Sequence, residues 1–384
     1  MKTPLAWLNL LHEKTRTLVA IAGVAFAVVL ILMQLGFFFS VEQTATQIYD
    51  RLDFDILITS PQYQSISKTG TFSRTRLFQA ASTPGVSDAH PLYLDFNLWL
   101  TPGDEHEHRS RRGIFVIGFP LDQRPLHLPK LKGDYAQLKQ PGNVFMDKLS
   151  RKQFGDWQDH PDKLQIGGKK IKIVGTFEMG TGFGADGDVV VGEPTFLDFY
   201  PNRTAADVSL GLVRKKPGVD VNQLCQELKR RLPLDVLVYT RRDIETKERK
   251  HWVVRTSVGV IFSLGVVIGF IVGVAIVYQV LSSDIANHQA EYATLKAMGY
   301  PSRYLSRVVL QQAIAFAVFG YLPGWAISCS LYMLTEQKEH IPMKMSLGLT
   351  VTILALTIVM CAVSGLASLR KINAADPAEL FNKK

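Results

Sequence analysis

The residues in this sequence that could do chemistry are few, and each group lacks a part of its site. Gly180-Thr-Gly-Phe-Gly184 follows a predicted strand, but it is not followed by the helix and lysine of a phosphate-binding loop. His106-Glu-His108 lies on a polar loop, where paired histidines are usually solvated. We find no G-x-x-x-x-G-K-[ST] motif and no nucleophile–base–orienter set. The sequence therefore predicts a non-catalytic chain that itself binds no metal and no cofactor.

A different chemistry, that of a docking surface, is indicated by the segment Glu291-Tyr-Ala-Thr-Leu-Lys-Ala-Met-Gly-Tyr-Pro301. We expect a helix that ends at Met298, because Gly299 suits the position after a helix end and Pro301 prevents continuation. The residues predicted to contact a partner are Ile285, Gln289, Glu291, Tyr292, Leu295, Lys296, Met298 and Gly299. A plain helical connection is the alternative, but it does not explain apolar side chains facing a polar cytoplasm.

Four uncharged apolar runs must position this segment. They cover residues 18–39, 256–281, 308–334 and 346–369. A helix needs about 20 apolar residues to cross a bilayer core, and each run is long enough. The first run is too long for a signal peptide, and no small-x-small cleavage site follows Phe37-Phe38-Phe39. The sequence therefore predicts four transmembrane helices.

The distribution of lysine and arginine predicts how these helices are oriented. Basic residues are concentrated in an amphipathic N-terminal helix (1–17), in the segment 282–307 and in the tail 370–384, whereas the short loop 335–345 holds few. Because positive loops stay inside, we expect both termini in the cytoplasm and residues 40–255 in the periplasm of a bacterial inner membrane. The net charge of +9 then needs no nucleic-acid partner to explain it.

The large insert between the first two spans has the composition of a folded α+β domain. Its two ends, 40–52 and 241–255, are predicted to be helical arms of a stalk, with Glu245 and Arg249 paired on the second arm. Between them we expect two α+β lobes, including a helix near 145–154 and a hairpin at Gly167-Gly168. The fold class is thus an α-helical membrane protein with four transmembrane helices and a large α+β extracytoplasmic domain inserted between helices 1 and 2.

The spans themselves carry two informative patterns. Gly265, Gly269 and Gly273 recur at every fourth residue of the second span, a spacing that lets two helices approach closely and that predicts a homodimer interface. Ordinary glycine enrichment in membrane helices is the alternative. No charged residue lies within any span. This argues against a transporter driven by protons or ions, which would place an ionisable residue at mid-depth.

With these residues in view, the chain resembles the FtsX/MacB-like (type VII) ABC transporter permeases. Glu291-x-x-Thr-Leu-Lys-Ala-Met-Gly299 is similar to the E-x-x-x-L-[RK]-A-[IM]-G signature that follows the second span of that family. Ala6-Trp7-x-x-Leu10 and Ala375-Asp-Pro-Ala-Glu-Leu380 resemble its N-terminal and C-terminal motifs. The layout matches over the whole chain, and the greatest similarity is to the DevC-type exporter permeases.

The resemblance implies a homodimeric, non-catalytic permease with two copies of a separate ATPase subunit, which use ATP and Mg²⁺. Residues 283–299 would contact that ATPase, and the outer domain would work with a membrane-fusion adaptor and a TolC-like outer-membrane channel. Such a machine transmits motion (mechanotransmission) to drive efflux, and the DevC likeness implies export of a glycolipid or other amphiphile. Two related functions remain open: a lipoprotein-releasing permease, and an FtsX-like regulator of cell-wall hydrolases.

Overall fold

The protein is described by a computed structural model that covers residues 14–102, 110–155, 157–180, 185–287, 294, 298, 301–339 and 341–373. Two compact units make up the chain. The first, which we call the helical unit, consists of Met1–Phe39, Ser257–Glu336 and Met343–Lys384. The second, which we call the α+β domain, consists of Ser40–Thr256 and Gln337–Pro342.

Four long apolar helices form the described part of the helical unit. They are α1 (Lys14–Thr46), α6 (Ser257–Asn287), α7 (Ser302–Glu339) and α8 (Leu347–Asn373). Each contains a stretch that is long and apolar enough to cross a membrane, at Thr17–Thr46, Ser257–Ser283, Ser306–Lys338 and Leu347–Ser368. The prediction of four transmembrane helices with an α+β insert after the first is confirmed. The helices extend several residues beyond the predicted apolar runs, because polar residues at their ends continue the helical backbone.

The first span lies at the centre of the helical unit's core. Its side chains Val24, Val28 and Leu32 are fully buried among residues of the other three helices. Gly320 and Gly324 of α7 face Val24 and Val28, and a methyl group at either glycine would come within 3 Å of a valine side chain. Glycines on a neighbouring helix therefore allow α7 to approach α1 closely, as is usual where packing alone holds helices together.

The α+β domain is built on one mixed sheet. Its long strands are β1 (Ile56–Thr59), β3 (Val86–Leu100), β4 (Arg111–Phe119), β5 (Asn143–Asp147), β8 (Lys172–Phe177), β9 (Asp188–Gly192), β11 (Leu210–Lys215) and β12 (Leu237–Thr240). They lie side by side in the order β12-β1-β11-β3-β4-β9-β5-β8. The short strand β6 (Gln165–Ile166) pairs with β3, and β7 (Lys169–Lys170) pairs with β6, while β2 (Phe72–Ser73) and β10 (Asp207–Val208) pair separately. Pairs β4–β9 and β5–β8 are parallel, and the other pairs are antiparallel.

The single sheet differs from the two lobes that the sequence predicted. Strand β3 is 15 residues long, and it pairs with β11 along its first half and with β4 along its second half. The two halves of the domain are therefore joined through β3. A single sequence reveals the strand but not its two partners, because the partners are set by contacts between distant parts of the chain.

Alternate residues along the strands bury two different faces of this sheet, as the pleat requires. One face is covered by α2 (Thr75–Ala81), α3 (Glu193–Phe199) and α4 (Val221–Arg231). The other face is covered by the chain that leaves α1, by the loop after β4 and by α5 (Arg241–Lys250).

Of the local predictions for this domain, a hairpin is confirmed and a helix is wrong. The hairpin at Gly167-Gly168 is present, with both glycines at positive φ as its tight turn requires. The helix predicted near 145–154 is wrong, because residues 143–147 form the strand β5. All five residues of β5 are buried between β8 and β9, and a short continuous apolar run is typical of a strand covered on both faces.

Candidate functional site

The docking residues predicted after the second span fall mainly outside the described part of the chain. Ile285 lies within α6. Met298 is 64% exposed, and its N–H donates to the carbonyl of Thr294 at 2.9 Å, a helical spacing. The others lie outside the described residues: Gln289, Glu291, Tyr292, Leu295, Lys296 and Gly299. The ATPase contact therefore stays a prediction from the sequence.

The three glycines of the second span face helices of the same chain. A methyl group at Gly265 would lie 2.4 Å from Cδ of Gln34 in α1, and one at Gly273 would lie 2.3 Å from Sδ of Met360 in α8. Gly269 faces Ile31 of α1 in the same way, at 3.0 Å. This face is occupied within one chain. The homodimer, with its interface at Gly265, Gly269 and Gly273, stays a prediction.

A densely hydrogen-bonded side chain of the α+β domain is that of Glu248, on α5. It is fully buried, and its carboxyl group accepts four hydrogen bonds. Oε2 accepts from the hydroxyls of Tyr63 at 2.5 Å and Tyr49 at 3.3 Å. Oε1 accepts from the Ile66 N–H at 3.0 Å and from Nε1 of Trp252 at 3.2 Å. Burying a carboxyl group is costly unless such partners are present.

These five residues, Tyr49, Tyr63, Ile66, Glu248 and Trp252, come from three segments, and we call them the joint. Tyr49 begins the 3₁₀ turn Tyr49–Arg51, where the chain leaves α1 for the sheet. Tyr63 and Ile66 lie in the loop after β1, and the two tyrosine hydroxyls are 2.5 Å apart. Trp252 follows Glu248 by one helical turn, in the π-helical stretch His251–Arg255 that leads back to α6. The joint thus ties the outgoing and returning chain to the sheet.

Arg241 adds a second tie at the same place. As the first residue of α5, it donates to the carbonyl oxygens of Tyr49 and Leu52 at 2.7 Å each and of Phe54 at 2.9 Å. Its guanidinium group lies 4.1 Å above the Phe54 ring. One side chain of the returning helix therefore holds most of the turn that follows α1. Charge-assisted bonds of this kind are about twice as strong as neutral ones.

The electrostatics of the joint keep its tyrosines neutral. Burial raises the pKa of both Tyr49 and Tyr63 well above the ordinary value, and the neighbouring Glu248 raises them further. Burial also raises the pKa of Glu248, while the hydrogen bonds from Tyr63 and the other donors partly oppose that rise. The joint is therefore a buried carboxyl group held by neutral donors.

A third contact links the end of α1 to the far side of the sheet. Gln47 donates from Nε2 to the carbonyl of Met179, beside a small cavity of about 60 Å³. Asp188 lines that cavity and is only 5% exposed. Burial raises the pKa of Asp188 well above its usual range, and Asp147 raises it further.

Asp147 also anchors the start of the glycine cluster. Its carboxylate accepts from the N–H groups of Leu149, Met179 and Gly180 at 2.9, 3.2 and 2.8 Å. Gly180 has φ +93°, and Thr181 to Gly184 lie outside the described residues. Within the described ranges no three His, Cys, Asp or Glu residues are placed to hold a metal ion. The residues of His106-Glu-His108 also lie outside the described part of the chain.

The joint was not predicted from the sequence, because the densely charged residues of α5 were expected to form only an arm of a helical stalk. Glu245 and Arg249 were predicted to pair, but Glu245 lies 3.9 Å from Arg241 and Arg249 lies 3.9 Å from Glu42. A usable signal was present. Ile244, Glu248 and Trp252 recur at every fourth residue, which places the glutamate on the apolar face of the helix.

Comparisons with known proteins give one family match. Residues 263–377 match the FtsX-like permease C-terminal family model. An ABC transporter permease of Mycobacterium bovis is 24% identical over 373 residues, which cover 96% of each chain. Another from Mycobacterium tuberculosis is 22% identical over 377 residues, again 96% of each chain.

Two solved structures resemble the α+β part of the chain. The periplasmic region of MacB from Actinobacillus actinomycetemcomitans has 12% identity and a TM-score of 0.36, and it covers 52% of this chain and 94% of that one. The extracellular domain of the transporter YknZ from Gram-positive bacteria has 11% identity and a TM-score of 0.33, covering 49% of this chain and 99% of that one.

Proposed function

We propose that this chain, which matches the FtsX-like permease C-terminal family model over residues 263–377, is an ABC transporter permease that transmits work from a partner ATPase to its α+β domain. The joint is the observation that carries this proposal. Transmission requires that the chain leaving α1 and the chain returning to α6 do not slide independently of the sheet. Glu248 and Arg241 bind both of them to the same group of residues.

The strength of these contacts favours movement of the joint as one body. A hydrogen bond to a charged group contributes about 1.5–3 kcal/mol, and leaving a buried partner unsatisfied costs a similar amount. The carboxyl group of Glu248 holds four such bonds, and the guanidinium group of Arg241 holds three at 2.9 Å or less. Separating the segments would therefore cost several kcal/mol, so a displacement of either helix would be passed to the sheet.

The spans support a transmitting role because their polar side chains hold helices together. Ser364 of α8 donates to the carbonyl of Val274 in α6 at 3.0 Å, and Tyr321 of α7 donates to that of Thr350 in α8 at 2.7 Å. The predicted spans contain no charged residue that would line a path for ions or protons. The helical unit is therefore better suited to moving as packed helices than to conducting a polar substrate.

The finer parts of the proposal come from the family resemblance. We propose that residues 283–299 contact two copies of a separate ATPase, which binds ATP and Mg²⁺, and that the permease is a homodimer. The α+β domain would work with a membrane-fusion adaptor and a TolC-like outer-membrane channel to export a glycolipid or other amphiphile. Both termini would be cytoplasmic, with the α+β domain on the periplasmic side of the inner membrane.

Affinity purification of the tagged chain from its native membranes tests the proposal. We expect an ABC ATPase subunit to co-purify, together with an adaptor that contains a coiled-coil hairpin. A tagged membrane protein unrelated to ABC transporters serves as the control for non-specific capture. Recovery of the chain without any ATPase would contradict the proposal. Recovery with an ATPase and a cell-wall hydrolase, but without an adaptor, would replace export with regulation.

A further inference from the structure

The α+β domain has a pocket on the loop side of its sheet that the proposed transmission does not use. It has a volume of about 490 Å³ and is lined by Leu121, Asp122, Arg124, Tyr135, Ala136 and Lys139. Sites for small molecules commonly have about 300–1,000 Å³, so the pocket has room for a ligand. Its two cationic side chains and its aromatic ring indicate which kind of ligand it would take.

Arg124 is held in place without using its hydrogen-bond donors. Its guanidinium carbon lies 4.9 Å above the centre of the Tyr135 ring. That ring is fixed by edge contacts with Phe145 at 5.6 Å between ring centres, and its hydroxyl donates to the carbonyl of Leu126 at 3.4 Å. In the described part of the chain, the guanidinium group has no hydrogen bond or ion pair with another residue. Its planar N–H fork is thus pre-organised and unoccupied.

Two other arginines of this domain stack on aromatic rings, and both donate hydrogen bonds from the guanidinium group to oxygen atoms of the protein. Arg241 stacks on Phe54, and it donates to three backbone carbonyls. Arg203 stacks on Phe196, and it donates to Asp95 and to Ser209 among others. In both cases the ring holds the guanidinium group while its edge binds oxygen atoms of the protein. Arg124 has the same support but no acceptor among the described residues, and because its side chain is exposed, its fork is open to a group from solution.

The backbone at Arg124 is strained in a way that favours the same conclusion. Its φ is +34°, in the left-handed region that glycine occupies far more readily than a side chain with a Cβ atom. The residue directly follows a turn in which the Gln123 N–H donates to the carbonyl of Pro120 at 3.1 Å. Strained residues cluster at binding sites, where the surrounding structure holds them in place.

We propose that this pocket is a binding site for an anionic group, a phosphate or carboxylate, that carries a neighbouring hydroxyl. Arg124 would hold the anion through two parallel N–H donors, which match the geometry of such oxygen pairs. Lys139, at the end of the 3₁₀ helix Tyr135–Lys139, would supply the second positive charge. Asp122 on the pocket wall would accept the hydrogen bond of the ligand hydroxyl. The headgroup of an acidic amphiphile and a free anion both have this chemistry.

The pocket is also connected to the joint through the backbone. Residues 125–127, which directly follow Arg124, pair with residues 51–53 through backbone hydrogen bonds of 2.9 and 2.7 Å. Residues 51–53 belong to the turn that Arg241 holds. Ligand bound at the pocket would therefore stiffen the turn after α1. This consequence rests on the proposed transmission, whereas the binding itself does not.

Isothermal titration calorimetry of the full chain in detergent, without ATP or ATPase, tests the binding. The probes are glycerol 3-phosphate, inorganic phosphate and a soluble short-chain phosphatidylglycerol, with glycerol as the neutral control. We expect saturable binding of at least one anionic probe and none of glycerol. Tightest binding of the phosphatidylglycerol identifies a headgroup site, and equal binding of inorganic phosphate identifies a free-anion site. Both outcomes support the proposal, and no saturable binding of any probe overturns it.

Matched variants decide whether the bound anion lies in this pocket. Arg124→Gln and Lys139→Gln are each expected to weaken binding about tenfold or more. Arg230→Gln, which removes an exposed arginine of α4, is expected to leave binding unchanged. Unchanged binding in Arg124→Gln, or an equal loss in Arg230→Gln, overturns the assignment. Arg124→Gly is the second test, because glycine suits the positive φ. It should abolish binding without lowering the melting temperature, and a lowered melting temperature would show that Arg124 is structural.

Discussion

Glu248 shows how a single buried carboxyl group can fix the course of three chain segments. Its partners are two phenols, an indole and a backbone N–H, so no cation offsets its charge among the side chains bonded to it. The carboxyl group can be buried inside the domain because each of its oxygen atoms accepts two hydrogen bonds. Loss of the group would leave all four donors inside the domain without an acceptor.

Glu248→Ala is therefore expected to lower the free energy of unfolding of the α+β domain by about 3 kcal/mol or more. Glu248→Gln should cost less, because an amide keeps one acceptor and the tyrosine hydroxyls can accept from its N–H₂ group. Chemical unfolding of the full chain in detergent, followed by tryptophan fluorescence, measures both. Glu245→Ala is the matched control on the same helix and should change the stability little. Equal effects of Glu248→Ala and Glu245→Ala would contradict the joint.

The buried carboxyl group of Asp188 should make the free energy of unfolding of the chain depend on pH. Its pKa is raised in the folded protein by burial and by Asp147, so the folded state keeps a proton that the unfolded state releases. Below the unfolded pKa of about 4 both states are protonated, and Asp188 costs nothing. Above that pH, the free energy of unfolding falls by about 1.4 kcal/mol per pH unit until the folded pKa is reached.

Asp188→Asn removes this ionisation and should make the chain more stable at neutral pH, with a flatter pH profile. Melting temperatures measured between pH 4 and pH 8 for the wild type and the variant test the sign. Asp198→Asn, which changes an exposed carboxylate of α3, serves as the control. A variant that is less stable than the wild type at pH 8 and unchanged at pH 4 would show that Asp188 is ionised and stabilising.

The long elements were predictable from the sequence, because apolar runs and residue spacing are local signals. The four spans, the helices α2 and α4 and the Gly167-Gly168 turn follow from such signals. Strand β5 and the single sheet could not be predicted, because they depend on which strands lie beside each other. The joint was missed for the same reason, since Tyr49, Tyr63 and Glu248 are far apart in the sequence.

The glycines of the second span give a prediction about helix packing. Gly273→Val would push a side chain against Met360 and Ala27 of the same chain, so it should lower the melting temperature of the chain itself. Gly348→Val is the matched control, because nothing lies within 4 Å of a methyl group at Gly348. Cross-linking measures the association of two chains in parallel. A Gly273→Val chain with wild-type stability and reduced association would assign this face to the homodimer instead.

The segment after the second span gives a prediction that rests on the sequence signature. Leu295→Asp and Tyr292→Ala should uncouple ATP hydrolysis from export, because they remove apolar contacts to the ATPase and leave the association of two permease chains intact. Arg303→Gln, on an exposed position of α7, is the control. Hydrolysis and export are measured on the purified complex and in cells. Normal ATPase co-purification and normal export in both variants would remove the segment from the contact.

At the scale of the whole molecule, the chain combines a helical unit of packed spans with an α+β domain. Within that domain, the joint holds together the segment that leaves α1 and the segment that returns to α6. The first span is the most enclosed helix of its unit, and the joint lies where the same helix ends. This arrangement fits the proposed transmission of movement. The pocket proposed to bind an anion is connected through the backbone to the turn that follows α1.

Hydrogen–deuterium exchange of the permease in complex with its ATPase, with and without ATP, tests the transmission most directly. The wild-type complex should show ATP-dependent changes in exchange within the α+β domain. The Glu248→Ala variant, held well below its melting temperature, should keep ATP binding and hydrolysis but lose most of those changes. Glu245→Ala should behave as the wild type. If ATP alters exchange in the α+β domain of Glu248→Ala as it does in the wild type, the joint does not transmit the movement.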